Sequence, residues 1–286
     1  MIVVTGATGQ FGRLAVEKLI GRGVPAAEIA AAVRTPEKAA DLAARGVEVR
    51  EADYDRPETL APAFAGADKL LFVSANGPDD LRIAQHRAVV AAAREAEVGL
   101  VAYTSIVDAD TNPLGLARVH RDTEAALAGS GLPTVLLRNG WYTENYTAAL
   151  PDAVERGAIV GSAGEGRIAS AGRADYAEAA AAVLTRDGQA GKVYELTGDR
   201  TWTLADLAAA ATAVSGREVV YTDLPAEQYA RILTDAGLPD FVVELVVDSD
   251  TKVAQGALER VTDDLPTLLG RPTTPLSDSV AEALKG

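Results

Sequence analysis

Three glycines, at positions 6, 9 and 12, lie in the segment TGATGQFG, between an apolar run and a helix-period segment. Glycine lets a backbone turn sharply and come close to a pyrophosphate, whose charge the N-terminus of the following helix favours. The spacing is G-x-x-G-x-x-G rather than the tighter G-x-G-x-x-G, and a tight turn without any ligand is the plain alternative. Its place at the first strand-to-helix junction favours a nucleotide, so Gly6, Ala7, Thr8, Gly9, Gln10, Phe11 and Gly12 are candidate phosphate contacts. The next apolar run ends on Arg34, followed by Thr35, Pro36, Glu37 and Lys38. An acidic residue there would bond the ribose 2′-hydroxyl of NAD, whereas an arginine accommodates the 2′-phosphate of NADP. Arg34 and Lys38 therefore point to NADPH, the alternative being two solvated surface charges. Thr35 can cap the following helix and Pro36 can start it.

Further polar residues stand at the ends of the later runs. Asp53, in EADYD, has no evident local task and can accept from an adenine amino group; a plain turn aspartate is the other reading. Asp55 with Glu58 suggests a capping box. Ser74, Ala75 and Asn76 end the fourth run, on the edge where ligands bind in such sheets. Ser105 ends the fifth and can hydrogen-bond a carbonyl oxygen or merely satisfy backbone groups. After the sixth comes NGWYTENY, residues 139–146, with three aromatics in a chain that is 5% aromatic. Flat rings suit a planar substrate stacked over a nicotinamide, so Trp141, Tyr142 and Asn145 are substrate candidates. For Trp141 a hydrophobic hinge is the alternative. His120 can donate a proton, since an unperturbed imidazole titrates near ~6.5, or it can only position a ligand. His86, on an alanine-rich helix, reads as structural.

The elements that must hold these residues follow from periodicity. Apolar runs at 2–5, 29–33, 47–50, 69–74, 100–104 and 134–138 alternate with helix-period segments such as 10–20 and 80–95. Strands apolar throughout, each followed by a helix, imply an α/β fold with a doubly wound parallel sheet covered on both faces. Another strand is expected at 193–198 and a helix from Leu204. The expected organisation is a dinucleotide-binding domain over 1–152, also receiving the strand near 193–198, and a smaller α/β substrate lobe over 153–286. The absence of cysteine excludes thiolate nucleophiles, disulfides and iron–sulfur clusters, and two histidines leave no basis for a metal site. A net charge of -14 argues against nucleic acid and anionic membrane as partners. With no signal-peptide pattern and no apolar run near ~20 residues, a soluble cytoplasmic protein is expected, and a homodimer is left open.

Taken together, TGATGQFG, AVRTPEKA, ADYD, AYTSIVDADTNPLGLA, LLRNGWYTENY, ASAGRADYAEAA and KVYELTGD resemble segments of the NmrA-like group of atypical short-chain dehydrogenases, over nearly the whole chain. Within that group the likeness is to bacterial NAD(P)H:quinone oxidoreductases of the type 2 kind. The resemblance implies a Rossmann-type NAD(P)-binding fold, NADPH as donor, a quinone as acceptor and a substrate cleft between two lobes. It also implies NADP contacts at Gly6 to Phe11, at Arg34, at Ser74 to Asn76, and along Arg138, Asn139, Gly140, Trp141, Tyr142 and Thr143. Ordinary short-chain dehydrogenases pair a tyrosine acid with a lysine four residues later. No tyrosine here has a lysine at that distance, and no lysine occurs between Lys69 and Lys192. If Glu124 in LARVHRDTEAAL (116–127) matches the glutamate that often follows that lysine, Leu116 takes the tyrosine place and His120 the lysine place. The reading is an NADPH-dependent oxidoreductase that passes hydride to a quinone by positioning rather than acid catalysis. Candidates for a catalytic contact are His120, Ser105 and Tyr142. The rivals are an NADP-sensing regulator without turnover and a sugar-nucleotide epimerase-like enzyme.

Overall fold

The computed structural model describes residues 1–285. Its strands, in chain order, are β1 (Ile2–Thr5), β2 (Ile29–Val33), β3 (Glu48–Glu51), β4 (Lys69–Phe72), β5 (Leu100–Ile106), β6 (Thr134–Asn139), β7 (Trp141–Tyr142), β8 (Ala158–Gly161), β9 (Ser170–Ala171), β10 (Val193–Leu196) and β11 (Val220–Asp223). Seven of them form one sheet in the order β10-β6-β5-β4-β1-β2-β3, with every neighbouring pair parallel. Parallel neighbours need crossovers, and α1 (Gln10–Gly21), α2 (Ala40–Ala44), α3 (Leu60–Phe64), α4 (Asp79–Glu95) and α5 (Ala117–Ser130) lie in those connections. Because helices cover both faces, β2 and β5 are buried at every residue, as continuous apolar runs require. Phe64, Leu70, Phe72, Val89, Val101 and Tyr103 belong to one core cluster of this sheet and its helices. From β1 the chain winds to β2 and β3 on one side, and later to β4, β5 and β6 on the other. The C-terminal ends of β1 and β4 therefore flank the topological switch point, the place where open α/β sheets bind ligands.

The chain falls into two compact units that interleave in sequence. The first comprises Met1–Asp110, Arg118–Asn139 and Arg173–Leu196; the second comprises Thr111–Ala117, Gly140–Gly172 and the chain from Thr197 onward. The expected boundary after residue 152 thus differs from the contacts: the second unit takes over already at Gly140. The reason is hydrogen bonding, since β7 pairs with β9 (Trp141↔Ser170, Tyr142↔Ala171) instead of extending the large sheet. The helix Arg173–Leu184 then packs on α1 in the first unit, with Lys18 bonded to Glu178 at 3.2 Å, and delivers β10 beside β6. In the second unit β8 and β11 form a separate parallel pair, accompanied by five helices from Leu204–Ser215 to Leu276–Ala283. Thr203 and Asp206 close a reciprocal capping box at the start of Leu204–Ser215.

Three local expectations change. Thr35 precedes a 3-10 turn, Pro36–Ala39, but its side chain makes no capping bond. Asp55 does not cap either: the residue before the Pro57–Thr59 turn is Arg56, and Asp55 accepts from Gln85 Nε2 at 2.7 Å. The strand expected over 69–74 ends at Phe72, because the next three amides turn to side chains rather than to a neighbouring strand. Among the described residues no helix is long and apolar enough to cross a membrane.

Candidate active site

Gly6 turns the chain out of β1 with φ +59, a left-handed conformation that favours glycine, and the Gly9 N–H closes the turn on Gly6 O at 2.8 Å. Helix α1 then starts so close to this turn that a Cβ on Gly12 would sit 2.4 Å from Gly6 O and 3.0 Å from Ala7 Cα. No side chain caps the N-terminus of α1, and its first turn carries no carboxylate. The positive end of the helix is therefore left to an anion. Residues 6–12 fit a pyrophosphate on these grounds: a glycine turn against which the helix start packs with no side chain between, and an uncapped dipole at that start.

The neighbouring strand ends are tied to this turn. Thr5 Oγ1 donates to Leu71 O and accepts from Val73 N–H at 2.9 Å, while Tyr54 Oη lies 2.7 Å from Thr5 Oγ1 and 2.9 Å from Val73 O. Arg34 and Lys38 are exposed, and the Arg34 guanidinium makes no hydrogen bond or ion pair among the described residues. An exposed cation without a partner at the end of β2 suits a phosphate ligand. Nearby, Arg13 pairs with Asp41. Asp53 departs from expectation: one carboxylate oxygen accepts from Asp55 N–H at 3.1 Å and the other meets Arg56 Nε at 3.4 Å. Its carboxylate organises the turn after β3, so the task not evident in the sequence is local.

Ser105 of β5, Glu124 of α5, Arg138 of β6 and Glu195 of β10 form a polar network with the exposed Asp110. Ser105 donates its only hydroxyl proton to Glu124 Oε1, which removes it as a donor to a carbonyl oxygen. Glu124 also receives Arg138 Nε at 3.0 Å and Nη2 at 2.6 Å. The same guanidinium reaches Glu195 at 2.9 Å and Asp110 at 2.8 Å. The guanidinium is thus engaged by three carboxylates. The hydrogen bond with Glu124, foremost, and those with Glu195 and Asp110 raise the Arg138 pKa above its ordinary value. Burial raises that of Glu195, outweighing the arginine beside it. Asn139 continues β6, and its carbonyl accepts from Val107 N–H at 2.9 Å.

His120 is buried, with Nδ1 2.8 Å from the hydroxyl of Tyr103. Burial, then the charges of Arg82 and His86, hold its pKa well below 6.5. The expectation of an imidazole titrating near neutrality fails for that reason, and the ring is held in its neutral form. Leu116 is half-buried just ahead of α5.

In the second unit, Gly140 leads into β7, whose two residues, Trp141 and Tyr142, are half-buried. Successive strand residues point to opposite faces, so only one of these rings can lie against a given planar molecule. Thr143, expected near the cofactor, is buried; its N–H donates to Ala171 O at 3.0 Å and its hydroxyl meets Ser170 Oγ at 2.7 Å. Trp202 Nε1 donates to the same Ser170 Oγ at 2.9 Å, and the Tyr146 ring stands edge-on to Trp202 at 5.2 Å. The third aromatic of the loop is thus structural, while Asn145 is exposed. Sequence reading missed Thr5, Tyr54, Asp110 and Glu195 because no local motif marks them. The bonds described above span between 19 and 68 positions.

A glycine cradle at the switch point of a parallel sheet, with a free arginine at the end of β2, defines a dinucleotide-binding protein, and the chain belongs to the NAD(P)H-binding family, whose model matches residues 6–187. It is similar to quinone oxidoreductase 2 of Escherichia coli strain K12, 49% identical over 281 residues that make up 98% of either chain. The solved structure of an NADPH-dependent quinone oxidoreductase from Escherichia coli, complexed with NADPH, matches with a TM-score of 0.94 at 49% identity, covering 99% of both chains. The Citrobacter sp. triphenylmethane reductase complexed with NADP(H) matches at 0.95 with 42% identity, covering 99% of this chain and 100% of that one. These findings support the resemblance to NmrA-like reductases drawn from the sequence segments.

Proposed function

We propose that the protein is an NADPH-dependent oxidoreductase that reduces a small quinone without a tyrosine–lysine acid pair. The observation that carries the donor is the unpartnered Arg34 beside the uncapped, glycine-lined start of α1. Residues 6–12 would hold the pyrophosphate and Arg34 with Lys38 the 2′-phosphate, while the Ser74–Asn76 segment lines the same edge. NADPH, when bound, supplies a hydride. The acceptor reading is supported by 49% identity to a quinone oxidoreductase over 98% of either chain, and by chemistry that needs no protein acid. Hydride addition to an aliphatic ketone leaves an alkoxide about as basic as hydroxide, whose conjugate acid, water, has a pKa near ~15.7. Addition to a quinone leaves a phenolate, whose acid resembles tyrosine at ~10. The difference, roughly 8 kcal/mol, is charge that no side chain must neutralise. His120, kept neutral by burial, and Ser105, donating to Glu124, accord with that economy.

In the second unit Trp141, Tyr142 and Asn145 are the proposed substrate contacts, with β7 held by its pairing to β9. Purified protein should oxidise NADPH when benzoquinone is added and remain inactive with a simple ketone. Binding of NADPH without quinone turnover would leave a sensor instead of an enzyme. Tyr142→Ala should lower quinone turnover while NADPH affinity stays within a few-fold; loss of the cooperative melt would make the loop a structural hinge.

A further inference from the structure

The segment that follows β4 is suspended by its amides. Val73 N–H donates to Thr5 Oγ1 on β1, Ser74 N–H to Thr104 Oγ1 on β5, and Ala75 N–H to His86 Nε2 on α4, each at 2.9 Å. Three consecutive donors that no strand satisfies are thus taken up by three side chains from three elements. Two of these are hydroxyls on strands adjacent to β4. The third, His86, is the one that reaches across from a helix.

The histidine is itself held in one orientation and one tautomer. Because Nε2 accepts the Ala75 N–H, the ring proton must be on Nδ1, which lies 2.7 Å from Thr123 Oγ1. Thr123 in turn donates its hydroxyl proton to Val119 O at 2.8 Å, so it receives at His86 rather than competing with it. Phe72 stands edge-on to the imidazole at 5.1 Å and Tyr103 at 5.9 Å, and His86 has no exposed surface. Burial, and secondarily the charge of Arg82, lower its pKa to about 3, so it stays an acceptor at neutral pH. A residue needed only to fill the core would not require this directed relay; phenylalanine or leucine would do.

We propose that His86 is a positioning residue for the dinucleotide, fixing the Ser74–Asn76 segment beside the glycine turn at the switch point of the sheet. The placement comes from the fold: β4 lies next to β1, and Val73 Cβ is 4.0 Å from where a Cβ on Gly6 would stand. The inference rests on the NADPH-dependent reading above, and its test is kept apart from that reading by measuring cofactor binding without any acceptor. In fluorescence titrations His86→Leu should weaken NADPH about tenfold, the size expected for one buried hydrogen bond left unmade. His86→Gln, whose side-chain amide can accept the Ala75 N–H and donate to Thr123, should recover most of the affinity. Thr123→Val, which removes the group that orients the ring while keeping its volume, should show an intermediate loss. In steady-state assays the loss should fall on the KM for NADPH, not on kcat or on the quinone KM. NADPH affinity within twofold of the parent protein in folded His86→Leu, or equal losses in NADPH and quinone KM, would overturn the proposal. If His86→Leu does not fold, Thr123→Val decides by the same two criteria. Absence of quinone turnover in the parent protein would count against the enzyme reading alone.

Discussion

Arg138 in the first unit and Asp250 in the second are both ionisable groups with little access to water, 9% and 4% exposed. Arg138 is surrounded by Glu124, Glu195 and Asp110, all within 3.0 Å of its nitrogens, and is held in its charged form. Asp250 accepts from Ser162 N–H at 2.8 Å and makes no ion pair among the described residues. The charged group that acts on it is Asp223, no cation, and Asp250 in turn raises the pKa of the phenols of Tyr146, Tyr221 and Tyr229. Burial, reinforced by the charge of Asp223, pushes its carboxyl up to about 6 despite the Ser162 bond. The contrast shows that burial alone does not decide ionisation: the counter-charge does. Where it is present the ion persists; where it is missing the group moves toward its neutral form.

The largest expected effect comes from removing the cation. Arg138→Leu leaves Glu124 and Glu195 facing one another with little solvent, and should cost about 3–5 kcal/mol in urea denaturation. A loss below about 1 kcal/mol would mean that the network behaves as a surface ion pair, and the contrast with Asp250 would collapse.

A smaller effect of opposite sign is expected at Asp250. Its folded pKa lies above the ordinary 3.8, so between the two values the folded chain keeps a proton that the unfolded chain releases. The stability this contributes is full below the ordinary value and is lost as pH rises through about 6. Asp250→Asn, which retains an acceptor for Ser162 N–H, should therefore stabilise the protein at pH 8 by up to about 3 kcal/mol and change little at pH 4. A difference in melting temperature that does not vary with pH would show that Asp250 is not the titrating group.

The smallest effect on stability is expected at Arg34, which is exposed and pairs with nothing among the described residues. Arg34→Ala should leave the melt unchanged while weakening NADPH roughly ten- to a hundredfold, the ~1.5–3 kcal/mol of a hydrogen bond to a charged group. NADH should bind as before, since it lacks the 2′-phosphate. Equal losses for the two cofactors would show that the arginine supports the fold instead.

Much of the frame was legible before any coordinates. The seven strands of the large sheet appear within two residues of the apolar runs, β7, β8, β9 and β11 had no such run, and the helix beginning at Leu204 starts where its pattern does. The glycine turn could be read because sharp turning and close approach are demands on single residues, visible as Gly6 and Gly12. Arg34 stands exposed just past the end of β2, where the sequence offers no carboxylate. Asp53 misled because its partners, Asp55 N–H and Arg56, are taken up only once the turn has closed. That His120 is held against Tyr103 could not be read, because a helix position says nothing about which face meets which neighbour.

Local order in this protein follows from short-range sterics and from the period of its apolar residues, so the strands of the large sheet, the glycine turn and the missing tyrosine–lysine pair belonged to the sequence alone. Whether a polar side chain is charged, neutral or available to a ligand depends on what long-range folding brings within about 3 Å of it and how much water is left there. Only the tertiary structure therefore decided that Arg138 serves carboxylates, that Ser105 donates to Glu124, that His120 is neutral, and that β7 belongs with β9.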